Sequence, residues 1–151
     1  MALISPEDQE TLKKLFEEKL TGDVSITYFT QHESPLIVPG RHECSYCKET
    51  REILEEVTDL SDKLHLTVKD FVADEKEAEQ MGITRIPAYV MQGQNKGKVR
   101  FFGLPAGYEF STLLQSIIDV STGKTQLSQK TKEALNTLEQ NLQVQVFVTP
   151  T

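Results

Sequence analysis

Apolar positions recur at helical spacing near the start of the chain: Leu12, Leu15, Phe16 and Leu20 share one face. Ser5-Pro6-Glu7-Asp8 ahead of them reads as a helix start. Ser5 is a capping residue, Pro6 suits the first helical position and Asp8 can complete a capping box. Gly22 marks the stop. Val24 to Thr30 is rich in β-branched and aromatic residues and predicts a strand. A loop follows, broken by Pro35, Pro39 and Gly40, and ends at Cys44. From Cys44 to about Lys63 the pattern is helical again, with Ile53, Leu54, Val57 and Leu60 on one stripe.

The alternation of Leu64, Leu66 and Val68 predicts a second strand. Asp74 to Gln80, just before Gly82, predicts a short helix. Ile86 to Met91 and Val99 to Phe102 read as two strands of a hairpin, because the residues between them favour turns. Phe110, Leu113, Leu114, Ile117 and Ile118 then mark the clearest amphipathic helix. Alternating units closed by a hairpin predict an α/β fold, with a central mixed four-stranded sheet flanked by helices. The first helix is an extra N-terminal element. The polar tract from Ser121 to Gln129 contains a linker, placed at residues 123–129. Beyond it Leu135, Leu138 and Leu142 repeat at helical spacing, and Val144, Val146 and Val148 alternate as a strand. Residues 130–151 thus repeat the opening helix-then-strand order after a body spanning residues 1–122.

Composition narrows the function. The 151 residues carry 16 Lys plus Arg against 23 Asp plus Glu, a formal net charge of −7. An acidic chain repels phosphate backbones, so nucleic acid is not an expected partner. No stretch has the apolar length of a membrane span, and the first residues lack the pattern of a secretion signal. The expected location is cytoplasmic.

Two cysteines, Cys44 and Cys47, stand three positions apart. In a reducing compartment such a pair is more often catalytic or metal-binding than structural. The pattern puts Cys44 at a helix N-terminus, where unpaired N–H groups and the helix dipole favour a thiolate. Cys47 lies one turn further in. The asymmetry predicts Cys44 as the attacking thiol and Cys47 as the resolving one. Lys48 and Arg41 reinforce the thiolate, whereas Glu43, Glu49 and Glu52 oppose it. Two other readings stand beside the redox pair. One is a zinc site of Cys44 and Cys47 with His42 and either His32 or His65, although no second cysteine pair exists to complete it. The other is an inert pair, in a non-catalytic module that binds peptides.

A second feature is Arg85-Ile86-Pro87-Ala88. A proline opening a strand suits an edge position or a cis bond. Beside the cysteines it also suits a loop whose Ile86 backbone pairs with an incoming peptide.

Cys44-Ser45-Tyr46-Cys47, followed about 40 residues later by Ile86-Pro87, resembles the thioredoxin/glutaredoxin family. Tyr46 at the third motif position and the absence of Trp are closer to glutaredoxin. The segment from Phe101 to Phe110 and the tail from Val146 to Thr151 are similar to protein disulfide oxidoreductases built from two thioredoxin-fold units. The resemblance implies a protein disulfide oxidoreductase with Cys44 as nucleophile, Cys47 as resolving thiol and Pro87 as the cis-proline. Ser45, Tyr46, Ile86 and Pro87 would meet the substrate. It implies no cofactor other than the redox-active Cys44–Cys47 disulfide. The partners would be protein disulfide or dithiol substrates and an upstream reductase or oxidant.

That family continues into a second CxxC unit, so the chain reads as one complete unit plus the first helix and strand of a truncated second. The strand from Val144 to Thr149 is then expected to pair with another copy of the chain or to be poorly ordered. The approach loop, Gln31 to Glu43, is longer than the family's usual one. A weaker resemblance is to the two-unit N-terminal domain of a bacterial peroxidase reductase. The first unit there usually lacks cysteines, so the pair argues against it.

Overall fold

The computed structural model describes residues 3–31, 43–95 and 97–148. The chain opens with helix α1 (Pro6–Lys19), capped as its sequence directs. The Ser5 hydroxyl accepts from the Asp8 amide at 3.2 Å and donates to the Asp8 carboxylate at 2.6 Å. Strand β1 (Val24–Thr30), helix α2 (Cys47–Thr58), strand β2 (Leu64–Asp70) and helix α3 (Glu75–Met81) follow. Strands β3 (Ala88–Gln92) and β4 (Val99–Phe102) form the hairpin, and helices α4 (Tyr108–Thr122) and α5 (Gln129–Asn136) complete the order.

The four strands among the described residues lie in the order β2-β1-β3-β4. β1 runs parallel to β2, with Val24 beside Leu64 and Thr30 beside Asp70. It runs antiparallel to β3, with Tyr28 opposite Tyr89. β3 and β4 are antiparallel. This is the expected mixed four-stranded sheet flanked by helices.

The period-two pattern of β1 sorts its side chains between two faces. Val24, Ile26 and Tyr28 join Tyr89 and Met91 in one core, closed by Leu12 and Phe16 of α1, Leu54 and Val57 of α2, and Leu113 and Ile117 of α4. Phe29, Ala88 and Val90 face the other way, against Ala78 and Ile83. Ser121 fastens the end of α4 beneath the sheet. Its buried hydroxyl accepts from the amides of Thr21 and Gly22 at 3.0 and 3.1 Å and donates to the Gly22 carbonyl at 2.6 Å. Gly123 ends that helix at φ +61°, where a Cβ would stand 2.8 Å from the Gln94 carbonyl oxygen. Glycine is needed there on both counts.

Several boundaries differ from the sequence expectation. α2 begins at Cys47 and ends at Thr58, so Cys44 precedes the helix instead of starting it. The cap position falls on Tyr46, whose side chain makes no capping bond. β3 starts at Ala88, after the Ile86–Pro87 bond, because proline has no amide to give the ladder. α4 extends through Thr122 and takes Ser121 out of the polar tract.

The largest correction concerns the tail. α5 forms, but it spans only Leu135 of the three predicted leucines. Residues 141–148 belong to no strand. Val144, Val146 and Val148 are each at least 80% exposed. A strand's N–H and C=O groups need a neighbouring strand, and alternation alone supplies none. Val68 is likewise an exposed end of an otherwise inward row.

Candidate redox site

Both parallel strands end at the same edge of the sheet, and the antiparallel β3 begins there. Phe29 pairs with Ala88, so the Ile86–Pro87 step lies just past the last β1–β3 pair. The chain leaving β1 leads to Cys44, and the chain entering β3 passes Pro87. Topology alone therefore brings these two sequence features to one edge.

Cys44 and Cys47 are joined by a disulfide, with S–S 2.01 Å, a Cβ–Sγ–Sγ–Cβ angle of 83° and a Cα–Cα distance of 5.5 Å. The Cα–Cα distance is ordinary for a disulfide. Residues 45 and 46 turn, and the Cys47 amide points at the Cys44 carbonyl at 3.5 Å. Cys47 is buried in the first turn of α2, while Cys44 is half-buried. Ser45 and Tyr46 between them are exposed. The helix start is therefore beside the first sulfur, one turn away, and not at it.

Two hydrogen bonds tie the pair to β1. The Gln31 side-chain oxygen accepts from the Cys44 amide at 2.8 Å. The Tyr28 hydroxyl donates to the Cys47 carbonyl at 2.7 Å. Tyr28 is fully buried, and burial pushes its phenol up to about 12 from an ordinary value of 10.0. Sequence reasoning missed both tethers. The parity of β1 places Tyr28 inside, but nothing local says what its hydroxyl reaches.

Pro87 is buried and its bond to Ile86 is cis. The Pro87 carbonyl accepts from the Gly103 amide at 2.8 Å, which docks the turn after β4 on the proline. Ile86 is half-buried. Val72, just beyond β2, and Tyr108, at the start of α4, are 76% and 86% exposed. The Arg85 guanidinium lies over the Phe102 ring, 5.0 Å from its centre. Exposed apolar side chains thus follow two of the four strands at this edge, Val72 after β2 and Tyr108 after β4. Periodicity had no means of finding them, since each stands outside a repeating stripe.

The zinc alternative is not assembled among the described residues. His65 is exposed at the start of β2, 3.8 Å from Asp23. It pairs with Ser25, which puts it at the far end of the sheet from Cys44. His32 and His42 lie outside the described residues, as does most of the approach loop from Gln31 to Glu43. No group of three or more His, Cys, Asp or Glu side chains among the described residues could hold a metal ion. Nor is any described helix long and apolar enough to cross a membrane.

A sequence model of the thioredoxin domain matches residues 37–115, from the approach loop into α4. The chain belongs to the thioredoxin-domain family. Among curated relatives, the AhpF component of alkyl hydroperoxide reductase in Staphylococcus aureus (strain NCTC 8325 / PS 47) is 28% identical over 106 residues. That match takes in 69% of this chain and 18% of the relative's length. Among solved structures, a protein disulfide oxidoreductase from Aeropyrum pernix k1 superposes with a TM-score of 0.72 at 23% identity. It covers 89% of this chain and 55% of the other. AhpF of Enterococcus faecalis (V583), as its C503A mutant, gives a TM-score of 0.70 at 19% identity, over 89% and 61%. Both two-unit resemblances read from the sequence thus recur. The peroxidase-reductase one, set second, is the one the curated relatives carry. The thioredoxin fold and the Cys44–Cys47 disulfide together mark this chain as oxidoreductase-like.

Proposed function

We propose that this unit exchanges disulfides with protein substrates, with Cys44 as nucleophile and Cys47 as resolving thiol. The observation that carries the reading is the disulfide's asymmetry: the cysteine outside the helix is half-open, and the one inside its first turn is buried. In the reducing direction the Cys44 thiolate attacks a substrate disulfide. One substrate sulfur leaves as a thiolate and takes up a proton. Cys47, deprotonated, then attacks Cys44. The Cys44–Cys47 bond forms, the bond to substrate breaks, and the second substrate sulfur leaves as a thiol. Two electrons pass from the dithiol to the substrate. The N–H groups opening α2, one turn from Cys44, favour its thiolate.

Ser45 and Tyr46, exposed in the turn, and the Ile86–Pro87 step form the substrate platform in this reading. An extended peptide laid along Ile86 would continue the ladder that β3 begins. Tyr46 and the lack of Trp support a glutaredoxin-like character. No bound cofactor is required, because the disulfide itself carries the electrons. The setting is cytoplasmic, with an upstream reductase or oxidant. The likeness to a component of an alkyl hydroperoxide reductase supports the reductase role.

The test is trapping. Cys47→Ser should accumulate covalent mixed disulfides with protein substrates, and Cys44→Ser should not. Both should lose dithiol-dependent insulin reduction. If neither traps and neither loses activity, the assignment fails and the peptide-binding module takes its place. Pairing of residues 144–148 with a second copy is a separate part of the proposal. Sedimentation equilibrium showing a monomer at high concentration would remove it.

A further inference from the structure

β1 reaches the redox pair twice. Gln31, one residue past its end, holds the amide of the first cysteine. Tyr28, three residues earlier, holds the carbonyl of the second. Together the two bonds fix both ends of the four-residue motif to one rigid strand, itself paired on both sides. We propose that Tyr28 and Gln31 are positioning residues that keep the two cysteine backbones at disulfide spacing through the exchange cycle, and so set the redox equilibrium and the speed of resolution. The inference rests on the exchange reading above and adds to it the parts that hold the thiols in register.

The physical argument is one of effective concentration. When the disulfide opens, nothing covalent holds Cys44 and Cys47 at a Cα separation of 5.5 Å. A turn free to relax gains conformational freedom, and that freedom favours the dithiol. Tethers that survive reduction remove the gain. They act on backbone atoms, which the reaction leaves unchanged, so they are available in the disulfide, the mixed disulfide and the dithiol alike. In the mixed disulfide, Cys47 must reach Cys44 against competition from an external thiol. A pinned first turn keeps it within reach, in the manner of any preoriented intramolecular reaction. The Tyr28 hydroxyl suits the task because it is dry and remains a proton donor across the neutral range.

Tyr89 supplies an internal control. It faces Tyr28 across the β1–β3 pair, is equally buried, and its hydroxyl has no hydrogen-bond partner among the described residues. Removing that hydroxyl deletes the same atom from the same core without touching the motif.

The experiment measures the Cys44/Cys47 equilibrium against a glutathione buffer for the whole chain and for Tyr28→Phe, Gln31→Ala and Tyr89→Phe. Thermal melts of oxidised and reduced protein accompany each. Tyr28→Phe should shift the equilibrium roughly tenfold towards the dithiol, about 30 mV less negative. It should also lengthen the lifetime of the mixed disulfide with glutathione several-fold. Gln31→Ala should move both in the same direction, and Tyr89→Phe should move neither. An unchanged equilibrium in both Tyr28→Phe and Gln31→Ala overturns the proposal, as does an equal shift in Tyr89→Phe. If Tyr28→Phe fails to fold, Gln31→Ala decides by itself, since its side chain lies outside both cores. Failure of the exchange reading looks different: the parent chain does not reduce insulin, yet its glutathione equilibrium still responds to the tethers.

Discussion

Residues 5–30 and 128–148 carry the same local signals and meet different fates. Each opens on a serine whose hydroxyl accepts an amide hydrogen bond three residues on, at 3.2 Å in both cases. A helix with apolar positions on one stripe follows in each, and then a run of alternating apolar residues. In the first copy Leu12, Phe16 and Leu20 are buried, and the run becomes a central strand with neighbours on both sides. In the second, α5 buries nothing and residues 141–148 pair with nothing among the described residues. The contrast separates two kinds of order. A helix closes its own hydrogen bonds and forms from local instruction. A strand borrows its partners, so its pattern is a request that only tertiary structure can answer.

The sharpest way to break this contrast is to cut into both helices. Phe16→Ala, in α1, should cost about 3–5 kcal/mol, the usual range for emptying a packed aromatic site. Leu135→Ala, on α5, should stay within about 0.5 kcal/mol. Urea denaturation checks both. A large loss from Leu135→Ala would mean that the tail is packed in solution.

A smaller effect appears at alkaline pH. All four tyrosines lie before Gly123, so phenol ionisation reports on the body alone. Tyr28 ionises near 10 when unfolded and is pushed to about 12 when folded. Burial also raises Tyr89. The folded state therefore holds these protons longer than the unfolded one. Their stabilising contribution is complete below about pH 10 and is lost as pH rises towards 12. Urea midpoints should decline across that window, and replacing both residues with Phe should remove most of the decline. A flat profile for the parent chain would contradict the burial of these phenols.

The same distinction explains what could be read in advance. Leu113 and Ile117 gave α4, and Val24, Ile26 and Tyr28 gave β1, because each pattern matched a face that is in fact covered. The Cys44–Cys47 pairing and the cis bond at Pro87 were legible from residue type, since only cysteines form disulfides and cis bonds are nearly confined to proline. The start of α2 was misplaced by three residues because the motif offers no side-chain cap at Tyr46. The tethers from Tyr28 and Gln31 were invisible. They join residues 19 and 13 positions apart, and no spacing rule encodes such contacts.

The Ser121 fastening has a consequence for how the unit can be carried. It pins the exit of α4 to the turn where β1 begins, whereas the reactive sulfurs sit where β1 ends, about 20 Å along a strand of this length. Under the exchange reading proposed above, a bulky passenger fused directly after Thr122 would start from the pole opposite the disulfide and leave that end of the sheet open.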